Sequence, residues 1–318
     1  MYDKFVTLDA HCDSIKEMLD DGRNITDTNY SFNLEDAKEI LPHIQFMAAF
    51  VNPIFSKKGN GGFVRVNKII DKFYEEYTKH IDNIIQITCK EDIDKVVKYN
   101  KLGVLLTVEN GSAIGNDIYN IERLYNRKVR MMTLTWNEDN KISSGAYTKN
   151  DLGLSEFGKK CIKKMEELKM IIDLSHISEK GFYDVLENSN SRVVASHSCV
   201  KNICYNNRNL TDSQIKEIAK RKGVIGVCFY SGFLSDNGRA NINDVINNIE
   251  YIANLVGTDY IGIGSDFDGV KKSELPLDIQ NVKDIIKIKD KLEKHGFSND
   301  EIQKIMGGNF INLLKESL

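Results

Sequence analysis

Short apolar runs rich in β-branched residues alternate along this chain with longer stretches of amphipathic, helical periodicity. Eight such runs occur, at residues 5–8, 44–51, 104–108, 131–135, 170–174, 192–196, 224–229 and 260–265. Nearly all of them are continuously apolar, which is typical of strands that are buried on both faces of a parallel sheet. The pattern therefore predicts eight parallel strands.

Helical periodicity fills most of the intervals between these strands. The amphipathic stretches lie at residues 62–77, 119–126, 155–168, 178–186, 211–220, 241–256 and 278–294, with a final one at 298–314. Ser155, Ser178 and Thr211 begin three of them and are suited to cap a helix. Repeated strand-then-helix units predict an α/β fold, a TIM-type (β/α)₈ barrel with its active site at the carboxyl ends of the strands.

The chain is expected to form one domain, residues 1–318, because it has only three prolines and no linker-like segment rich in Ser, Gly and Pro. The segment 139–153 is a long connection without a helical pattern, and we expect it to form a loop of the pocket.

Candidate metal ligands follow five of the predicted strands. A single His-x-Asp pair is as often a turn or a helix cap, and a lone buried histidine is usually only hydrogen-bonded. Convergence of several such residues on one rim is what a metal site requires. The candidates are His11, Asp13, Glu109, His176, His197 and Asp266. The other histidines, His43, His80 and His295, are interpreted as surface or capping residues.

Three imidazoles and three carboxylates exceed the needs of one tetrahedral ion but suit two ions that share a bridging carboxylate, for which Glu109 is the natural candidate. Cys12 alternates away from His11 and Asp13, so the donors are nitrogen and oxygen. Such a set fits Zn²⁺, with Mn²⁺ or Co²⁺ as possible substitutes. Two such ions favour hydrolysis of an amide, ester or related bond.

Composition narrows the partners of this site. Hydrophobic residues make up 41% of the chain and charged residues 28%, with a net charge of -3 and both signs interspersed. This balance gives no basic face for nucleic acid. No apolar run approaches the roughly 20 residues that cross a bilayer, and the first residues lack a signal-peptide pattern. Six scattered cysteines indicate a reducing compartment and mostly buried thiols. We therefore expect a cytoplasmic protein with a small substrate and no membrane partner.

The motifs of the chain resemble the membrane dipeptidase (renal dipeptidase) family of metallopeptidases, which are amidohydrolase-like barrels. The similarity runs nearly end to end, through DAHCD, TVENG, VRMMTLTWN, GLSEFG, MIIDLSHIS, ASHS, NNRNL, GVCFY, GIGSDFDG and GGNFINLL. Related barrel hydrolases commonly carry His-x-His on the first strand, whereas His-x-Asp with a glutamate on the third resembles the dipeptidase branch. The resemblance implies a soluble, microbial-type relative that forms a homodimer.

The resemblance also implies roles for individual residues. His11, Asp13, Glu109 and Asp266 would surround one zinc ion, and Glu109, His176 and His197 the other. A bridging hydroxide would attack the peptide bond of a free dipeptide, and Asp266 would shuttle the proton.

Three further residues are implied to contact the substrate. Arg208 would bind the free carboxylate of the dipeptide, which suits its planar guanidinium. Tyr230 would line the pocket, although a core aromatic is nearly as common there. Trp136 stands where the best-known animal members have a histidine that contacts the scissile carbonyl, and we expect a pocket wall instead. Two alternatives remain open: a hydrolase of N-acyl amino acids, lactams or lactones, and a catalytically inert metal-binding barrel.

Overall fold

Parallel strands form a closed barrel in a computed structural model that describes residues 5–56 and 59–318. Nine strands lie within these residues: β1 (Thr7–Cys12), β2 (His43–Phe50), β3 (Ile84–Gln86), β4 (Leu102–Glu109), β5 (Met131–Thr133), β6 (Ile171–Asp173), β7 (Val193–Ser198), β8 (Val224–Val227) and β9 (Ile261–Ile263). They run in the order β2-β1-β9-β8-β7-β6-β5-β4-β3, and pairing of β2 with β4 closes eight of them into a ring. The predicted barrel and its eight strands are confirmed.

Helices cover the outside of the barrel. They are α1 (Ser14–Asp21), α2 (Leu34–Ala37), α3 (Pro53–Ser56), α4 (Gly61–Lys79), α5 (Lys90–Tyr99), α6 (Tyr119–Asn126), α7 (Glu156–Glu167), α8 (Glu179–Asn188), α9 (Asp212–Lys220), α10 (Ser231–Leu234), α11 (Ile242–Val256), α12 (Ile286–Lys294), α13 (Asn299–Gln303) and α14 (Asn309–Ser317). Shorter 3-10 turns lie at Lys38–Ile40, Gly111–Ile114, Thr258–Tyr260, Lys272–Glu274 and Val282–Ile285, and a π turn at Lys304–Gly308. As predicted, the hydroxyls of Ser155, Ser178 and Thr211 cap α7, α8 and α9.

Two apolar clusters hold the barrel together. One fills its interior with strand side chains such as Leu8, Phe46 and Leu105, and Phe310 of α14 joins it. The Phe310 ring meets Phe46 edge-on, with ring centroids 5.7 Å apart. The second, larger cluster lies between strands and helices and includes Cys12. Because apolar side chains fill the interior, the polar side chains at the carboxyl ends of the strands form a layer above them.

Some elements differ from those that the sequence pattern predicts. The short strand β3 was not predicted, because three residues of IIQ give little periodicity. The helices α1 and α5 were missed as well, although both are amphipathic. The first strand starts at Thr7 and continues to Cys12, so His11 lies inside it and not after it. The final helical stretch is divided by a π turn, where Gly307 leaves helical backbone geometry.

His43 is fully buried, so its interpretation as a surface or capping residue is wrong. Its two ring nitrogens lie 2.8 Å from the Thr7 hydroxyl and 3.2 Å from the Gln45 side-chain carbonyl. These polar neighbours satisfy the imidazole inside the protein, and no surface position is needed. His80 and His295 do end helices, at the C-caps of α4 and α12.

The buried His43 is expected to make the fold less stable in mild acid. Burial lowers the pKa of His43 from 6.5 to about 4, although its hydrogen bond to Gln45 opposes this. Between these values the unfolded chain takes up a proton that the folded chain does not, so stability is lost as the pH falls from 6.5 towards 4. This amounts to about 2 kcal/mol between pH 7.5 and pH 5.

Urea unfolding of the wild type and His43→Gln at both pH values checks this expectation. The variant should lose less free energy of unfolding than the wild type on going to pH 5, and His80→Gln should behave like the wild type. An equal pH dependence in His43→Gln and the wild type would contradict the assignment.

Among residues 5–56 and 59–318, no helix combines the length and the apolar character that crossing a bilayer requires.

Candidate active site

The six predicted ligands come together at the carboxyl end of the barrel. His11 and Glu109 lie among the last residues of β1 and β4, and His197 lies in β7. Asp13 follows β1 directly and stands at the N-cap position of α1, where its side chain makes no capping hydrogen bond. His176 and Asp266 follow β6 and β9 by three residues. All six come from five different strands, so the barrel itself sets their positions.

One group of donors surrounds the His11 side chain. Its Nε2 atom lies 3.3 Å from Asp13 Oδ2, 3.3 Å from Glu109 Oε2 and 3.8 Å from Asp266 Oδ1. Asp13 Oδ1 is buried and has no hydrogen-bond partner among the described residues. A buried carboxylate oxygen without a partner is costly, and a cation is a natural partner for it.

A second group of donors faces the other oxygen of Glu109. Glu109 Oε1 lies 2.9 Å from His176 Nε2 and 3.9 Å from His197 Nε2. The Nε2 atoms of the two histidines are 2.8 Å apart. Glu109 therefore presents one oxygen to each group, which is the arrangement that a bridging carboxylate requires.

The outer ring nitrogens of these two histidines are already engaged. His176 Nδ1 lies 2.8 Å from Asn137 Oδ1, and His197 Nδ1 lies 2.8 Å from Ser196 Oγ. If both Nδ1 atoms donate, both Nε2 atoms carry lone pairs that point at each other. Two facing lone pairs are favourable only with a cation near them, so the donor chemistry fits a divalent metal ion.

Charge and burial shift the titration of the cluster. Burial, followed by repulsion from Asp13, raises the pKa of Glu109 above its ordinary value, and burial raises that of Asp266 as well. Burial also lowers the pKa values of His176 and His197, and positively charged neighbours add to this. Burial opposes protonation of His11, but attraction to Glu109 and Asp13 raises its pKa well above 6.5. Acidic groups packed this closely favour a positive ion among them.

The backbone at the site is strained. His176 has φ 68° and Asp266 has φ 65°, a left-handed conformation that residues other than glycine seldom adopt. Close packing holds these turns. A Cβ atom on Gly269 would lie 2.3 Å from Asp266 Oδ1 and 2.4 Å from Asp13 Oδ2, so only glycine fits beside the two carboxylates. Strain of this kind is often retained at functional sites.

Several residues of the site were not predicted from the sequence. Asn137, Ser196, Asp173 and Gly269 orient or accommodate the ligands without being ligands themselves. Three of them stand within a few residues of a ligand, in DLSH, SH and DFDG. A polar residue just before a histidine at a strand end was the available signal.

Arg208 lies beside the ligands and is 3% exposed. Its Nη2 donates to the main-chain carbonyl of His197 at 3.1 Å, and its guanidinium lies 5.3 Å from the centre of the Phe233 ring. Its Nε is buried without a partner, and no ion pair joins Arg208 to a carboxylate in the described part of the chain. Glu109 and Asp266 lie near enough for the charge of Arg208 to oppose the rise in their pKa values. A buried guanidinium that no carboxylate contacts directly still favours an anionic ligand.

The loop that carries Arg208 is tied to the predicted pocket loop, residues 139–153. Asn206 Oδ1 accepts hydrogen bonds from the Arg208 amide at 2.9 Å and from the Tyr147 hydroxyl at 2.8 Å. The pocket loop is itself fixed to a ligand segment, since the Ala146 amide donates to the His176 carbonyl at 2.8 Å. The Tyr147–Asn206 contact therefore links the ligand rim to the Arg208 loop.

The two predicted aromatic residues are both half-buried at this rim. The Tyr230 ring packs edge-on against Phe233 at 4.7 Å, on the ring that also contacts Arg208. The Trp136 ring lies 5.5 Å from the Phe50 ring and 6.3 Å from the His176 ring. The structure thus brings both residues near the candidate ligands, and their contact with a substrate stays a prediction.

A family model named "Membrane dipeptidase (Peptidase family M19)" matches residues 1–317. The chain belongs to this family. The match confirms the resemblance that its motifs indicate and places the chain among the metallopeptidases. A metal-dependent hydrolase is the class of enzyme that the ligand cluster predicts.

Individual relatives agree with this membership. An uncharacterised dipeptidase of Schizosaccharomyces pombe is 31% identical over 248 residues, which are 75% of this chain and 59% of that protein. The match thus spans less than two thirds of the yeast relative. A metallopeptidase from Rhodobacter sphaeroides, solved with a phosphinate mimic of the dipeptide L-Ala-D-Ala, has a TM-score of 0.89 at 20% identity and covers 99% of this chain and 100% of its own. The dipeptidase AC, also of family M19, has a TM-score of 0.90 at 22% identity with 99% of both chains covered. The two solved structures share the barrel fold.

Proposed function

We propose that this protein is a dipeptidase with a two-metal site, for which Zn²⁺ is the first candidate and Mn²⁺ or Co²⁺ are substitutes. The observation that carries the proposal is Glu109, whose two oxygens face two separate groups of donors. His11, Asp13 and Asp266 would hold one ion with Glu109, and His176 and His197 would hold the other.

Held by these residues, two divalent ions would supply a nucleophilic water near neutral pH and would polarise the carbonyl of the substrate. The residues of the chain do the rest. Asp266 takes the proton of the attacking water on its carboxylate and gives it to the nitrogen of the leaving amine as the carbon–nitrogen bond breaks.

Arg208 gives the substrate its direction. Because no carboxylate of the described residues is in direct contact with its buried guanidinium, Arg208 suits the free carboxylate at the end of a dipeptide. The relatives support this substrate class: one is named a dipeptidase, and another is solved with a dipeptide mimic. N-acyl amino acids share that carboxylate and stay the second candidate, because Arg208 alone does not require a free amine.

Metal analysis together with a substrate panel tests the proposal. The protein saturated with Zn²⁺ should hold close to two ions per chain and should hydrolyse free dipeptides faster than N-acetylated dipeptides or N-acyl amino acids. One ion or none would overturn the two-metal site. Equal or faster turnover of the N-acylated compounds would favour the second candidate. Turnover of no substrate by a metal-loaded protein would indicate an inert barrel.

Trp136 is proposed to form a wall of the pocket. Its ring packs against Phe50, and indole can donate only one neutral hydrogen bond. Trp136→Phe should therefore change KM and leave kcat within about threefold, whereas removing a donor to the transition state costs about 10²- to 10³-fold in kcat. Steady-state kinetics on one good dipeptide measure the difference. A hundredfold loss of kcat in Trp136→Phe would assign the donor role to the indole.

A cytoplasmic location and a homodimer remain predictions, to be checked by fractionation and by light scattering of the purified protein.

A further inference from the structure

Asp173 lies below the ligand cluster and is fully buried. Its Oδ2 accepts hydrogen bonds from the hydroxyls of Thr133 and Ser196, each at 2.6 Å. Its Oδ1 accepts from the main-chain amides of Ser196 at 2.9 Å and Ser175 at 3.1 Å. Four donors surround one carboxylate, so each neighbouring hydroxyl directs its hydrogen towards it.

The hydroxyl of Ser196 has a single hydrogen, which it donates to Asp173 Oδ2, its nearest acceptor. The oxygen therefore offers only lone pairs to His197 Nδ1, which lies 2.8 Å away. His197 must then carry its proton on Nδ1 and leave Nε2 free to face Glu109 and His176.

We propose that Asp173 is a positioning residue that fixes the tautomer of His197 through the Ser196 hydroxyl. The inference rests on the proposed metal site, because an imidazole can bind a metal ion only through a nitrogen without a proton. His197 is the histidine of the cluster that is connected in this way to a buried carboxylate. His176 Nδ1 meets the amide oxygen of Asn137, and His11 Nδ1 has no partner among the described residues.

Asp9 and Ser265 form a similar carboxylate–serine pair elsewhere in the chain. Asp9 accepts from the Ser265 hydroxyl at 2.6 Å and from the Ser265 amide at 2.8 Å, nearly as Asp173 does from Ser196. The other contacts of Ser265 Oγ are the main-chain amide of Phe267, at 3.1 Å, and the main-chain carbonyl of His11, at 3.2 Å, and neither is an imidazole nitrogen. The Asp9–Ser265 pair therefore contacts the main chain of β1, whereas the Asp173–Ser196 pair contacts the imidazole of His197 in β7.

Asp173→Asn separates the tautomer from simple packing. The amide oxygen can still accept from the two main-chain amides, and the amide nitrogen then donates to the hydroxyls. Two acceptors are then left for the Ser196 hydrogen, His197 Nδ1 at 2.8 Å and Ser175 Oγ at 3.3 Å. The shorter distance favours His197 Nδ1, which moves the ring proton to Nε2. This blocks the nitrogen that faces Glu109, while the volume of the side chain is unchanged.

Two measurements test the proposal on the whole protein. In metal-free protein, nitrogen-15 correlation spectra of the imidazoles should show His197 protonated on Nδ1 in the wild type and on Nε2 in Asp173→Asn. Competition against a chromophoric chelator should show affinity for Zn²⁺ about 10- to 100-fold weaker at one site in the variant, the scale found when a partner of a metal-binding histidine is lost.

Thr133→Val is the matched control. It removes the other hydroxyl from Asp173 and leaves Ser196 in place, so the tautomer and the Zn²⁺ affinity should stay as in the wild type. A loss of affinity as large as that of Asp173→Asn would show that packing is responsible and would overturn the proposal. A wild-type His197 tautomer in folded Asp173→Asn would overturn it as well.

If Asp173→Asn does not fold, Ser196→Ala replaces it, because the methyl group accepts no hydrogen bond from His197. A mixture of His197 tautomers is expected in that variant, and an unchanged single Nδ1–H form would contradict the proposal. The spectra need neither metal nor turnover. A wild type that binds two ions but hydrolyses no dipeptide would therefore end the proposed function and leave this inference standing.

Discussion

Glu109→Gln is expected to lower kcat about a thousandfold and to leave at most one tightly bound ion per chain. Glu109 presents one oxygen to His11 and the other to His176 and His197. The amide keeps one oxygen, removes the negative charge and puts an NH₂ group against one set of donors. A thousandfold loss corresponds to roughly 4 kcal/mol, within the several kcal/mol that metal stabilisation of a transition state supplies.

Elemental analysis and steady-state kinetics measure the two effects, and thermal unfolding checks the fold. Rim residues of barrels serve function more than stability, so Glu109→Gln should remain folded. Glu76→Gln is the control, because Glu76 is also a buried carboxylate but pairs with Lys72 along α4. It should lose stability and keep both ions. Two ions and near-normal kcat in Glu109→Gln would exclude the bridging role.

The barrel could be predicted from the sequence because its strands are apolar on both faces and follow one another at regular intervals. The same apolar pattern did not predict where the strands end. The predicted first strand stops before His11, whereas β1 continues to Cys12 because its polar positions Asp9 and His11 also find partners inside the protein. Polarity ends a strand pattern in the sequence without ending the strand.

The candidate ligands could be found because histidine and carboxylate at a strand end are unusual in an apolar setting. The residues that orient them could not. Asn137, Asp173 and Ser196 act through hydrogen bonds between segments that are distant in the chain, such as the 2.6 Å contact of Ser196 with Asp173. The polar residues before the histidines in DLSH and SH were the only local signal, and that signal does not show which distant group each residue contacts.

The burial of His43 could not be predicted from its local sequence either. A histidine between a proline and a strand has the local pattern of a surface residue. Its burial depends on Thr7, which pairs with it from β1, and on Gln45, two residues further along β2. Only the register of the two strands brings Thr7 to the imidazole.

Arg208→Lys is expected to raise KM for free dipeptides about 10- to 100-fold with little change in kcat. The guanidinium is buried, and two of its parallel N–H groups can meet a carboxylate together. A lysine ammonium is a point charge on a flexible chain and cannot reproduce that geometry. Hydrogen bonds to a charged group contribute about 1.5–3 kcal/mol, which sets the expected range.

Dipeptides with an amidated carboxyl end show whether Arg208 recognises the substrate carboxylate or only supports the ligand His197. Arg208 also donates to the carbonyl of His197, so its loss could disturb a ligand. If it recognises the carboxylate, the wild type should prefer free to amidated dipeptides strongly, and Arg208→Lys should lose most of that preference. Tyr147→Phe, which removes the hydroxyl that holds Asn206 and thus the Arg208 loop, should raise KM only about fivefold, the value of one neutral hydrogen bond. A loss of kcat/KM in Arg208→Lys that is equal for free and amidated dipeptides would show that Arg208 supports His197 and does not read the substrate.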